Sequence, residues 1–270
     1  VSTSSSSIQS GYPDVDALIG RLGYGIPDAL GNNLVALWLT GSLTYGDFDY
    51  GSSDIDYCAV IERELSSPER EALVALHDAI GADLPSWRER IEGTYVTRAM
   101  LASHTLPPQG RPYVNGGQFW NPDPPYGNEW LLNLHVLREC GVALYGPEPA
   151  DLVGEIDIAE VRSASARDLF DERLPEADNA AAFEDSHIQA YVTLTLCRIL
   201  HRAFNDEVAS KRAAAAWVKR HYGEPWRSLV ERAEHWHHGR ALGASAETRA
   251  FIRFVAEELR DTESDRRDAS

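Results

Sequence analysis

The chain has 270 residues, enough for one large domain or two smaller ones with real cores. Hydrophobic residues make up 43% of it and charged residues 25%, as in an ordinary soluble protein. No run approaches the roughly 18 to 20 apolar residues that a membrane span needs, and a formal net charge of −17 argues against an extended nucleic-acid footprint.

That acidity suits plain solubility, and it also suits attraction of cationic small molecules. Residues 1–10, rich in Ser, lack a basic stretch followed by an apolar one. They read as a disordered tail and not as a secretory signal. Cys58, Cys140 and Cys197 are far apart, with no CxxC pair. Neither a disulfide framework nor a zinc site is suggested, and a reducing cytoplasm fits.

In chain order, residues 11–33 carry Pro13, Gly20, Gly23, Gly25, Pro27 and Gly31, which predicts a broken pair of short helices. The apolar run Leu34–Leu39 has the length of a buried strand. Residues 40–53 read as a loop, and residues 54–61 as a second strand. A helix capped by Ser67 with Pro68 in its first turn runs to about Ile80. Residues 90–97 alternate as a third strand, with Glu92, Thr94 and Val96 on one side. Residues 105–128 form a long loop containing Phe119 and Trp120, followed by a helix over 129–140 that Gly141 stops.

From Asp157 onward the spacing predicts helices only, at about 157–172, 186–204, 207–221, 225–238 and 246–260. The expected class is α+β: a small mixed sheet with helices over residues 11–150, then an all-α bundle over 151–262, with 263–270 as a frayed tail.

The informative segment is Gly41-Ser42, a spacer containing Gly46, then Ser53-Asp54-Ile55-Asp56. Glycine lets backbone approach a phosphate, and serine hydroxyls with neighbouring N–H groups can hold its oxygens. Residues two apart on a strand face the same side, so Asp54 and Asp56 project together. Two carboxylates this close favour a shared cation, and magnesium bridges carboxylates to phosphates. Glu92, in the same alternating register, can complete the acidic set.

This arrangement resembles the nucleotidyltransferase superfamily, whose members share the DNA polymerase β fold. The Gly46 to Ser53 spacer is one residue longer than the commonest form. Further residues narrow the resemblance to aminoglycoside 3''-adenylyltransferases acting on streptomycin and spectinomycin. These are Leu137–Pro147, read as the helix and turn joining the domains, then Leu194-Thr-Leu-Cys-Arg198, Ser210-Lys211 and Ala216-Trp217.

The resemblance implies transfer of AMP from ATP to a hydroxyl of a small cationic acceptor, conferring antibiotic resistance. Asp54 and Asp56 would hold two Mg²⁺ ions, with Glu92 as the general base or as a further metal ligand. Gly41, Ser42, Ser53, Arg198 and Lys211 would hold the triphosphate. Glu184 and Asp185 would line the acceptor site, although Asp185 also suits a helix cap; from the residues themselves, Trp120 and Phe119 can stack on the acceptor or cap the core, and His187 can bind it or simply start a helix. At the positions that would align with the family's acceptor-binding acids stand residues such as Ile188 and Tyr191. His235-Trp-His-His238 reads as a solvated helix end. A monomer with no nucleic-acid or membrane partner is expected. Transfer to a protein or RNA end, or to an unrelated small molecule, and a non-catalytic nucleotide-binding module are the alternatives.

Overall fold

A computed structural model describes residues 10–105, 111–120, 127–205, 207–237 and 239–268. The expected N-terminal tail, up to residue 9, lies outside them. The chain forms two compact units, Val1–Glu155 and Ile156–Ser270.

In the first unit, α1 (Pro13–Leu30) is one continuous helix where a broken pair was expected. Val15, Leu18, Ile19, Leu22, Ile26 and Leu30 recur at helical spacing and are all buried, and that stripe outweighs the helix-breaking tendency of its glycines. Gly25 serves packing: a Cβ there would come 2.4 Å from Leu76 Cδ1. Leu76 belongs to α2 (Ser67–Asp83), whose cap is Ser66, one residue earlier than expected. Ser66 and Glu69 close a capping box, and the Arg63 guanidinium grips the Glu69 carboxylate with two 2.9 Å bonds.

The sheet contains β1 (Leu34–Thr40), β2 (Ile55–Ile61), β3 (Ile91–Thr97), β4 (Tyr113–Asn115), β5 (Gln118–Trp120) and β6 (Val142–Tyr145). Their order is β5-β4-β3-β2-β1-β6. Only β2 and β3 run parallel, so the sheet is mixed, as expected. The short helix α3 (Arg98–Leu101) follows β3. The presumed long loop contains the β4–β5 hairpin, turned by Gly116 and Gly117 with φ of 57° and 69°. Its three-residue strands are too short to show alternation. Residues 106–110 and 121–126 of that stretch lie outside the described residues. The segment after α4 (Glu129–Cys140), expected as a turn, instead adds β6 to the sheet edge beside β1, and α5 (Pro149–Leu152) follows.

Alternation sorts the central strands into two faces. Leu37, Leu39, Ile55, Tyr57, Ala59, Ile61, Ile91 and Tyr95 pack in one core with the buried stripe of α1 and with Leu73 and Ile80 of α2. Inside this core, the Tyr57 hydroxyl lies 3.0 Å from His77 Nε2 and 2.9 Å from the Tyr95 hydroxyl. Asp56, Cys58, Glu92 and Thr94 alternate with these positions and belong to the opposite face.

The second unit is helical. α6 (Ile158–Arg167) runs into a π-helical turn (Asp168–Arg173) and then α7 (Leu174–Glu176). α8 (Ser186–Asn205) is the central rod, burying Val192, Leu196, Cys197, Ile199 and Leu200. Around it lie α9 (Lys211–His221), α10 (Trp226–Glu234) and α11 (Ser245–Asp268). α9 starts four residues later than the periodicity predicts, because the Ser210 hydroxyl accepts from Ala213 N and caps it there. α10 stops at Glu234, short of the predicted 238, and α11 runs on to Asp268.

Candidate active site

β1 ends at Thr40, and Gly41–Leu43 form a 3₁₀ turn. Gly41 has φ +73°, and a Cβ on it would come 1.9 Å from Asp56 Oδ2. Only glycine fits against that carboxylate without displacing it. Thr40 pairs with Asp56, and Asp56 pairs with Glu92 across the parallel β2–β3 ladder. The structure therefore sets the Gly41 turn, Asp56 and Glu92 in a row across three adjacent strands, with both acids on one face and half-buried.

Asp54 stands just before β2, its side chain 26% exposed, with Arg90 Nε 3.9 Å from Oδ1. The loop between turn and strand is organised from within. Asp49 accepts from Gly51 N at 2.9 Å and from the Ser52 hydroxyl at 3.0 Å, and its own N–H donates to the Ser53 hydroxyl at 2.9 Å. The Ser53 oxygen thus closes the turn. Ser42 sits in the 3₁₀ turn, its carbonyl accepting from Asp47 N.

Among the described residues, no group of three or more His, Cys, Asp or Glu side chains is placed so as to hold a metal ion. The donor set still suits magnesium. It consists of hard carboxylate oxygens on one strand pair, and this ion is commonly held by one or two carboxylates with substrate phosphates completing the shell.

The other predicted residues lie elsewhere. Trp120 ends β5, two strands beyond β3, paired with Tyr113; its side chain is outside the described set. Its neighbour Phe119 packs on the core beside Tyr95. Arg198, Lys211, Glu184, Asp185 and His187 all belong to the second unit. Arg198 is half-buried on α8 and donates to the Thr195 hydroxyl at 3.4 Å. Lys211 opens α9 with its Nζ 5.4 Å from the centre of the Tyr191 ring. Asp185 accepts from His187 N at 2.8 Å, the geometry of a helix cap, and Glu184 is exposed.

The His187 ring lies 6.4 Å from that of Tyr191 and 5.6 Å from that of Trp236. Sequence reasoning passed over Trp236 inside the His-rich stretch. His235 and His237 are exposed beyond the end of α10, and His238 lies outside the described residues.

Also missed was a buried charge network under Arg198. The guanidinium of Arg202, fully buried, donates to the Ser165 hydroxyl. Desolvation, with Arg198 close by, lowers its pKa to about 9. Asp168, buried in the π-helical turn, is the opposing charge, 3.4 Å from Arg173 Nε. π-turns of this kind gather at functional positions. Only the mixed spacing of Asp168, Arg173, Arg198 and Arg202 hints at the network, and helical periodicity hides it.

Residues 154–261 match the family described as aminoglycoside adenylyltransferase, C-terminal domain. No curated protein is a sequence match. Among solved structures, the chain is similar to spectinomycin adenyltransferase AAD(9) from Enterococcus faecialis, determined with ATP and spectinomycin. The TM-score is 0.72 at 19% identity, covering 90% of this chain and 98% of that one. The likeness establishes the fold, and the family match agrees with the resemblance carried by Leu194–Arg198, Ser210-Lys211 and Ala216-Trp217.

Proposed function

We infer that this chain, which carries the aminoglycoside adenylyltransferase C-terminal domain after a nucleotidyltransferase-type sheet, transfers AMP from ATP to a hydroxyl of a small cationic acceptor. The acceptor is an aminoglycoside such as streptomycin or spectinomycin, and its modification confers resistance. The observation that carries the reading is the row formed by the Gly41 turn, Asp56 and Glu92 at the mouth of a serine-bearing loop.

Asp54, Asp56 and Glu92 are the residues to hold Mg²⁺, which supplies charge neutralisation at the phosphates and acidifies the attacking hydroxyl when bound. Ser42, Ser53 and the backbone N–H groups of the turn hold phosphate oxygens. Glu92 takes the proton of the acceptor hydroxyl, whose oxygen bonds to the α-phosphorus as the bond to pyrophosphate breaks. Arg198 and Lys211 supply positive charge to the leaving pyrophosphate. Glu184, Asp185 and His187, with Trp120, are assigned to the acceptor. The net charge of −17 favours accumulation of a polycationic acceptor near the protein. Among the described residues no helix is long and apolar enough to cross a membrane, and we place the enzyme in the cytoplasm as a monomer.

Pyrophosphate release with ATP, Mg²⁺ and a panel of aminoglycosides tests the reading. Asp54→Asn and Glu92→Gln are expected to lose roughly 10²–10³-fold in rate. Full activity in Asp54→Asn, or release with a non-aminoglycoside acceptor alone, would overturn it.

A further inference from the structure

The loop that carries Ser53 and Asp54 is fastened to the rest of its unit through a cluster that the proposed chemistry does not use. Arg90 immediately precedes β3, two residues before Glu92. Its guanidinium donates from Nη2 to the Tyr50 carbonyl at 2.9 Å and from Nε to the Ser53 carbonyl at 3.1 Å. It lies 4.1 Å over the ring of Trp87, and its side chain is 17% exposed. The Arg90 carbonyl accepts from Ile55 N at 2.9 Å, so the same residue also stitches the first rung between β2 and β3.

Trp87 is fully buried and donates its indole N–H to Asp14 of α1 at 2.7 Å. The Tyr50 hydroxyl donates to the same Asp14 oxygen at 2.7 Å, and its ring stands edge-on to Trp87 and stacked on Tyr12. Asp49, Gly51, Ser52 and Ser53 add bonds within the loop. A planar guanidinium can stack on an indole while donating from its edge to two carbonyls, a combination that an ammonium does not offer.

We propose that Arg90 is a positioning residue for the nucleotide. By holding the Tyr50 and Ser53 carbonyls against the Trp87 ring, it fixes Ser53 and Asp54 at one distance from Glu92. It also places a positive charge beside Asp54 that holds this carboxylate at the loop end. The proposal rests on the reading of this loop as the triphosphate site.

The test uses the full chain, with Arg90→Ala, Arg90→Lys and Tyr50→Phe. Two readouts do not depend on turnover: hydrogen exchange at the amides of Gly51–Ser53 without ligand, and ATP binding by calorimetry. Arg90→Ala is expected to speed exchange and to weaken ATP binding by about 30-fold, the scale of losing two charge-assisted hydrogen bonds partly replaced by water. KM for ATP should rise more than kcat falls, because the loop is disordered more than the chemistry is removed. Arg90→Lys should recover only about threefold of the loss, whereas recovery to wild type would show that charge alone matters and would overturn the clamp. Tyr50→Phe, which keeps both carbonyl bonds, should have the smallest effect. If wild type binds ATP and Arg90→Ala matches it within about twofold with unchanged exchange, the role of Arg90 is overturned. If wild type itself fails to bind ATP, it is the nucleotide reading that falls.

Discussion

The two units place their charges differently. In the first, the acids Asp54, Asp56 and Glu92 are half-exposed at or just before the starts of β2 and β3. In the second, Asp168 and Arg202 are buried beneath the half-exposed Arg198, and the surrounding bundle closes over them. Charges left at a surface keep their affinity for a ligand, whereas charges taken out of water and paired internally mostly hold a conformation. The comparison teaches that the first unit leaves these three acids in partial contact with water, and that the second commits several of its charges to architecture.

The largest expected effect is in the second unit. Asp168→Asn leaves Arg202 and Arg173 without their buried counter-charge. Breaking a buried pair from one side costs about 3 kcal/mol, taken at the low end because the Arg173 side chain is 18% exposed. Urea unfolding followed by far-UV circular dichroism should show that loss. A variant of unchanged stability but strongly reduced turnover would break the contrast, because the network would then serve catalysis directly.

Next in size is Gly41→Ala in the first unit. The added methyl would lie 1.9 Å from Asp56 Oδ2, and the positive φ is strained for alanine. Either the turn or the carboxylate must move by the order of an ångström, which lowers turnover by about 10²-fold. A thermal melt should change much less than the rate, since the turn contributes no buried residue to the core. A large fall in melting temperature with normal kcat/KM would mean that this turn is architectural.

These contrasts also set what could be read from sequence. That Asp56 and Glu92 share a face of the sheet was legible, because alternation along each strand is a property of local sequence; their direct pairing across β2 and β3 is a matter of register that alternation does not give. The α8 rod and its apolar stripe were legible for the same reason at helical period. The Arg90 clamp was not, because it joins Tyr50, Trp87 and Asp14 across 76 positions of chain through carbonyls that any residue possesses. The charge network of the second unit was hidden likewise: Asp168 and Arg202 look like ordinary polar positions until the fold buries them. The unbroken α1 was misread because glycines weigh against a helix in isolation, whereas Gly25 is required by the approach of Leu76.

Among the described residues the first unit buries Asn33 and His77, and the histidine sharpens the comparison through pH. His77 is buried with its Nε2 on the Tyr57 hydroxyl, and desolvation lowers its pKa from the usual 6.5 to about 4, against a weak opposing pull from Asp78. The fold therefore favours the neutral ring, and the unfolded chain takes up a proton first as pH falls. Stability from this group is complete above pH 6.5 and is lost progressively between 6.5 and about 4. At pH 5 the loss is about 2 kcal/mol. Glu69, whose burial is outweighed by its bonds to Arg63 and Ser66, is lowered to about 2 and acts in a separate window below 4.5. Denaturant midpoints of wild type and His77→Gln between pH 7 and 5 isolate the histidine. The variant should be less stable at pH 7, from imperfect packing beside Tyr57, yet should show a shallower decline toward pH 5. Parallel declines in the two proteins would mean that other groups, and not this ring, set the acid sensitivity of the first unit.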